Sequence, residues 1–202
     1  MVYRAVLLSV CALLVPAALV VSGCGGGGGT PVAATVTGTV RDDASLQPVS
    51  GAQVSASGAT ATTNQSGRFT LNTAAGPRTI RITKSGYQEL ALSRSLQAGA
   101  NDIGTRYLKP ALQTGRGAAT GTVLRSGQGV AAARVESGGA QATTRADGSY
   151  AIYNLPAGER GLLAVDPTTQ RVGYTSVQIT AGQAATGVDI TLNLQPPHQP
   201  GF

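Results

Sequence analysis

Side chains able to do chemistry are few in this sequence, so each can be followed individually. There are two cysteines, Cys11 and Cys24, and one histidine, His198. Cys24 sits where an apolar run ends, in "LVVSGCGGGGGTP" (19–31), directly before Gly25–Gly29. Its thiol is a nucleophile beside a glycine run that is not expected to fold. His198 lies in the Pro-rich "QPPHQPGF" (195–202), a tail expected to be extended. Without a second nitrogen or thiolate beside it, no Ser/His/Asp set and no His/Cys metal set can form there. Two acidic positions remain. Asp42-Asp43 falls after the first apolar alternation and could touch Ca²⁺. Two carboxylates with no acidic neighbours make a weak site, however, and a solvated turn is the expectation. Asp147 precedes Gly148 and should bond its own turn backbone. No catalytic, cofactor-binding or metal-binding residue is assigned, and the chain is not expected to be an enzyme.

The segment carrying Cys24 begins with one positive charge, Arg4, followed by "AVLLSVCALLVPAALVV" (5–21). This length fits a secretory apolar region and is short for a membrane span, which Pro16 further disfavours. The positive end comes first, so the following chain should be exported. Val21-Ser22-Gly23-Cys24 resembles the lipobox of bacterial lipoproteins. The resemblance implies a signal peptide over 1–23, cleavage before Cys24, and acylation of its thiol and freed amine. One acyl chain holds a protein marginally; two or more hold it stably, at ~0.8 kcal/mol per buried methylene. Residues 24–34 then form a Gly-rich tether reaching roughly 16–19 Å. Gly25 stands where an Asp would imply inner-membrane retention. The expected location is the bacterial cell envelope, at the outer membrane if the cell has two.

Composition narrows the rest. Charged residues are 12% and aromatics 4%, with no Trp, which is poor material for a large aromatic-walled cleft. The formal charge is +6, with Arg4 in the leader and the other basic residues scattered singly. A nucleic-acid face clusters its Arg and Lys, so no nucleic-acid partner is expected. Neither cysteine can staple the C-terminal region, which contains none.

Beyond the tether the chain repeats itself in six blocks of one order. "TVTGTV" (35–40) returns as "ATGTVL" (119–124), and "PVSGAQV" (48–54) as "GVAAARV" (129–135). "ATTNQSGRFTL" (61–71) returns as "ATTRADGSYAI" (142–152). "AAG" (74–76) recurs in "LPAG" (155–158), "SGYQ" (85–88) in "VGYT" (172–175), and "LQAGANDIG" (96–104) in "ITAGQAATGVDI" (179–190). Apolar residues alternate with polar ones at Val36/Val40, Phe69/Leu71, Ile80/Ile82 and Val188/Ile190/Leu192/Leu194, the period of strands with one buried face. Asp147-Gly148 and Asn64–Gly67 mark hairpins. The expected fold is all-β: two tandem small β-sandwiches of about seven strands each, at 35–110 and 118–196. A linker at 111–117 joins them, and a Pro-rich tail fills 197–202.

Each copy resembles the carboxypeptidase regulatory-like domain, with its transthyretin-like (prealbumin-like) sandwich. The first copy matches at Gly38, Val40, Pro48, Gly51, Ala52, Val54, Thr63, Gly67, Phe69, Leu71, Gly76, Gly86 and Tyr87. The second matches at Gly121, Val123, Ala133, Val135, Thr144, Asp147, Gly148, Tyr150, Ile152, Gly158, Gly173 and Tyr174. Ser66 replaces the usual acidic residue before the turn glycine. The second copy lacks the early Pro and inserts "DPTTQRV" before its Gly-Tyr, implying a longer loop. Such motif residues shape turns and core, so they bear on fold more than function.

Similar sandwiches include starch-binding folds, whose sites stack a sugar on an exposed aromatic. Phe69, Tyr87, Tyr150 and Tyr174 occupy repeat positions and are expected in cores. Tyr153 follows Ile152 on the opposite strand face and is expected to be exposed. Tyr107 is undecided, and Phe202 lies in the tail. The reading is a non-catalytic, lipid-anchored envelope protein acting as a structural spacer or protein-interaction module. Its partners would be the membrane, through Cys24, and an envelope protein. The alternative is a carbohydrate-binding module at the cell surface.

Overall fold

The computed structural model describes residues 32–194. Cys11, Cys24, the glycine run, His198 and Phe202 lie outside the described residues. Within them every element is a strand. The first repeat forms β1 (Ala33–Asp42), β2 (Gln53–Ala56), β3 (Ala59–Thr62), β4 (Arg68–Ala74), β5 (Gly76–Thr83), β6 (Leu90–Leu96) and β7 (Gly99–Leu108). They divide into a three-stranded sheet, β4-β1-β7, and a four-stranded sheet, β3-β2-β5-β6. All neighbours are antiparallel except β1 and β7, which run parallel. The alternation read from the sequence points the apolar residues inward. Val36, Val40, Val54, Phe69, Leu71, Ile80, Ile82 and Leu108 form the core between the sheets.

The second repeat forms β8 (Arg116–Arg125), β9 (Gln128–Gly129), β10 (Arg134–Ser137), β11 (Ala140–Thr143), β12 (Ser149–Pro156), β13 (Gly158–Val165), β14 (Val172–Ile179), β15 (Ala184–Ala185) and β16 (Ile190–Thr191). One sheet is β12-β8-β15, with β9 and β16 also paired to β8; the other is β11-β10-β13-β14. The core holds Val123, Val135, Tyr150, Ile152, Leu155, Leu162, Ile179 and Ile190. β8 starts at Arg116, inside the span expected as linker. Leu194, expected inward with Ile190 and Leu192, is exposed. The chain leaves the strand after Thr191, so the two-residue period no longer applies.

The shared motif residues have matching structural jobs in both repeats. Thr63 Oγ1 donates to the Val49 carbonyl (2.7 Å) and accepts from Ala52 N–H (2.8 Å). Thr144 does the same with Val130 (2.6 Å) and Ala133 (2.8 Å). Each buried hydroxyl thus satisfies backbone groups of the loop that enters β2 or β10. Gly67 (φ +72°) and Gly148 (φ +82°) close the hairpin turns, and a Cβ on either would strike neighbouring backbone. Asn64 Oδ1 and Asp147 Oδ1 accept the turn N–H groups of Ser66 and Ser149, at 2.9 Å each.

The repeats diverge at their last strand. β7 follows β1 continuously apart from a register shift between Thr37 and Thr39. In the second repeat the equivalent stretch splits into β15 and β16, bracketing Val188, whose N–H bonds the Thr120 carbonyl at 3.0 Å. Gly121 permits this, because the Val188 backbone lies where its Cβ would be.

Candidate functional site

The strongest gathering of polar side chains lies where the two sandwiches meet. β1 ends at Asp42, and the following turn carries Asp43 toward the second repeat. The two adjacent carboxylates do different work. Asp42 Oδ1 accepts the N–H groups of Ala44 (2.9 Å) and Ser45 (2.7 Å), and Oδ2 accepts the Tyr87 hydroxyl (2.9 Å). Asp43 reaches across: Oδ1 pairs with the Arg145 guanidinium, and Oδ2 accepts the Tyr153 hydroxyl at 2.5 Å. The Arg145 guanidinium lies 4.8 Å from the centre of the Tyr107 ring, a cation–π contact from the second repeat to the first. Beside it, Thr143 N–H bonds the Ala44 carbonyl at 2.8 Å. Ala44 itself is buried in the second repeat's core cluster.

The expected solvated turn at Asp42-Asp43 is therefore corrected, since Asp43 is only 7% exposed. Tyr153 is corrected too. It lies on the face opposite Ile152, as the alternation requires, yet is 9% exposed. The first sandwich covers that face. Burial, the Asp43 hydrogen bond and its charge push the Tyr153 phenol well above the ordinary tyrosine range. It stays a neutral donor. Burial, with the Asp42 bond, likewise raises Tyr87 to about 12.

The segment joining the repeats is held on both sides. Gln88 N–H bonds the Lys109 carbonyl and Ala111 N–H the Gly86 carbonyl, each at 2.9 Å. From the second repeat, Asn154 accepts Gln113 N–H on its Oδ1 (2.9 Å), while its carbonyl accepts Arg116 Nη1 (2.6 Å). Asn154 adopts φ +60° at a register irregularity of β12, a backbone state asparagine tolerates better than most residues. Nothing in the sequence singled it out.

A cleft of about 390 Å³ opens along this seam, with Asp43, Lys109, Arg145, Tyr153 and Asp189 on its walls. Its two carboxylates are already engaged: Asp43 as above, and Asp189 Oδ1 by Thr122 N–H at 2.8 Å. The bonds that cross it hold its walls together. Among the described residues no three His, Cys, Asp or Glu side chains gather as a metal-binding group.

The aromatics sort as follows. Phe69 and Tyr150 are buried in their cores, and the Tyr150 hydroxyl donates to the Val188 carbonyl at 2.6 Å. Tyr87 is half-buried against the first core. Tyr174, expected in the second core, is 65% exposed. The two Gly-Tyr pairs are not equivalent. Gly86 sits in a turn beyond β5, whereas Gly173 lies within β14 and faces inward. A Cβ on Gly173 would press on the Thr191 carbonyl group and Ile190, so alternation turns Tyr174 outward. In the "DPTTQRV" segment, Asp166 is buried and paired with Arg125 at 2.8 Å. Its carboxyl is held below the usual range, first by the Thr169 hydroxyl.

These features define an all-β protein built of β-sandwiches whose polar cluster ties structure together. Residues 35–104 match the family model of the carboxypeptidase regulatory-like domain. No curated protein matches the chain in sequence. Among solved structures, the chain is similar to a type II cohesin–X-dockerin complex mutant from Acetivibrio cellulolyticus, at 24% identity. That match covers 36% of this chain and 52% of the other, with TM-score 0.32. The chain thus spans about half the length of that relative. It is also similar to the Bacillus anthracis TIE protein (15% identity, 79% of this chain, 34% of that one, TM-score 0.35). A third similarity is to GBS52, the minor pilin of Streptococcus agalactiae (14% identity, 83% and 99%, TM-score 0.30). Likeness at this level places no function on the chain.

Proposed function

We propose that this is a non-catalytic, lipid-anchored protein of the bacterial cell envelope, acting as a spacer or protein-interaction module with two tandem regulatory-like sandwiches. The observation that carries the reading is the seam. A spacer must hold its parts at a fixed separation, and two folded units on a loose linker do not. Here Asp43, Arg145, Tyr153 and Tyr107 are committed to one another across the junction. Asn154 grips the connecting segment. The anchor rests on the lipobox-like Val21-Ser22-Gly23-Cys24, and the second sandwich's kinship on the Thr144 and Gly148 geometry it shares with the first.

The test is made on the full chain expressed in a bacterial host with its leader. Wild type should fractionate with membranes and give a mature N-terminus at Cys24 bearing acyl chains by mass spectrometry. Cys24→Ala should be soluble or remain unprocessed. Cross-linking in intact cells, followed by membrane solubilisation, should recover an envelope protein with wild type. An N-terminus elsewhere without lipid removes the anchor from the reading. Hydrolytic turnover by the purified protein removes the non-catalytic role.

A further inference from the structure

The outer face of the β11-β10-β13-β14 sheet carries a row that the first repeat lacks. Register places Gln141 opposite Glu136, Glu136 opposite Leu163, and Leu163 opposite Tyr174. The four side chains therefore lie side by side across all four strands, on the face turned away from the core. Tyr174 is 65% and Leu163 39% exposed. The corresponding row of the first repeat is Thr60, Ser55, Arg81 and Ala91, with Arg81 paired to Glu89. An aromatic and a leucine thus stand in the second repeat where the first has alanine and arginine.

Tyr174 is also braced. Gly161 lies on the same face, two residues before Leu163 on β13. A Cβ there would lie 2.7 Å from Cε2 and 2.9 Å from Cζ of the tyrosine. The ring consequently rests across bare backbone at Gly161. A hollow of about 300 Å³ is bounded by Tyr174, Leu163, Gly161, Glu136 and Gln141. That is the lower end of the range of small-ligand sites. Tyr174 and Leu163 line its apolar side, and Glu136 and Gln141 its polar side. Glu136 holds Arg134 at 2.9 Å and Gln141 at 3.2 Å, so its charge is largely balanced and its oxygens stay beside the hollow.

We infer that this row is a subsite for one neutral pyranose ring of an oligosaccharide. The ring's C–H face would stack on Tyr174 and Leu163, and its hydroxyl edge would bond the Glu136 carboxylate and the Gln141 amide. A stable protein interface needs about 800 Å² from each partner. One aromatic and one leucine in a single cross-strand row fall far short of that. A charged ligand would need an unpaired counter-charge, and Glu136 is already matched by Arg134. A flat ligand with an apolar face and a polar edge satisfies both ends of the row. The inference is independent of the anchor and of the seam.

The test uses the full mature chain, with cellohexaose and chitohexaose as probes, in saturation-transfer NMR and titration of tyrosine emission, which no Trp obscures. Wild type should bind at least one probe, with transfer strongest to ring C–H protons. Tyr174→Ala should weaken it about 2- to 12-fold, the range of one stacking contact, with an unchanged melting temperature. Tyr174→Phe should retain binding. Gly161→Ala, which displaces the ring from its rest, should weaken it similarly. No binding of either probe by wild type, or equal binding by Tyr174→Ala, overturns the inference. So does a concentration-dependent dimer in sedimentation that Tyr174→Ala abolishes, which would make this face a self-association surface.

Discussion

Asp43 presents two carboxylate oxygens, and each meets a donor from the other sandwich, Arg145 and Tyr153. Both partners are largely desolvated, so removing the carboxylate strands a guanidinium rather than deleting a neutral contact. Asp43→Ala is expected to cost about 3 kcal/mol. Tyr153→Phe, which removes one bond to a charged acceptor while keeping the ring, should cost about 1.5–3 kcal/mol. Urea denaturation of the full chain measures both, and combining the substitutions should cost less than the sum, because they share the Asp43 partner. Additive losses would mean that the two contacts are independent. Core truncations follow a different rule. Phe69→Ala and Tyr150→Ala each leave a cavity between sheets and should cost about 3–5 kcal/mol, whereas Tyr174→Ala should leave the urea midpoint almost unmoved.

At the scale of elements, the hairpin turns are built alike in both repeats. Gly148 combines positive φ with close approach to Gly129 and Val130. Gly138 shares the positive φ but meets nothing within 4 Å. Gly138→Ala should therefore cost about 1 kcal/mol, the price of backbone strain alone. Gly148→Ala must also displace backbone and should cost clearly more. Melting temperatures of the two variants check this, and equal losses would show that strain rather than crowding sets the turn. The linker is held by both sandwiches, by Gly86 and Gln88 of the first and by the backbone and side chain of Asn154 in the second.

Over the whole molecule, the tyrosines make stability sensitive to alkali. Tyr87 is raised to about 12, and Tyr150 and Tyr153 are raised further, in each case chiefly by burial. An unfolded tyrosine ionises near 10. Below that pH their stabilisation is fully present. Above it the unfolded chain releases protons that the folded chain keeps, so stability falls as pH rises toward the folded values. Urea midpoints should be flat from pH 7 to 9 and drop above about 10, with a shallower drop in Tyr153→Phe. The seam also bears on cooperativity. If it couples the sandwiches, wild type should melt in one calorimetric transition and Asp43→Ala should separate it into two. Two transitions already in wild type would mean that each sandwich unfolds alone.

The sequence by itself determined which residues share a strand face and where the chain turns. Val36 and Val40, Ile80 and Ile82, and Phe69 and Leu71 point inward because a period of two leaves no other arrangement with one buried face. Asn64, Asp147 and the following glycines mark turns through local chemistry within a few residues. The tertiary structure alone decided what covers the second face of each strand. Alternation places Tyr153 opposite Ile152 but says nothing of a neighbouring sandwich. Its partner Asp43 lies 110 residues away, and Arg145 lies 102 residues from that same carboxylate. Tyr174 went the other way for the same reason. The Gly-Tyr pair repeats in sequence, yet Gly86 is in a turn and Gly173 in a strand, so one tyrosine packs inward and the other faces water. Periodicity is a property of the local backbone, whereas burial depends on what packs against it, and those contacts join positions that no local pattern relates.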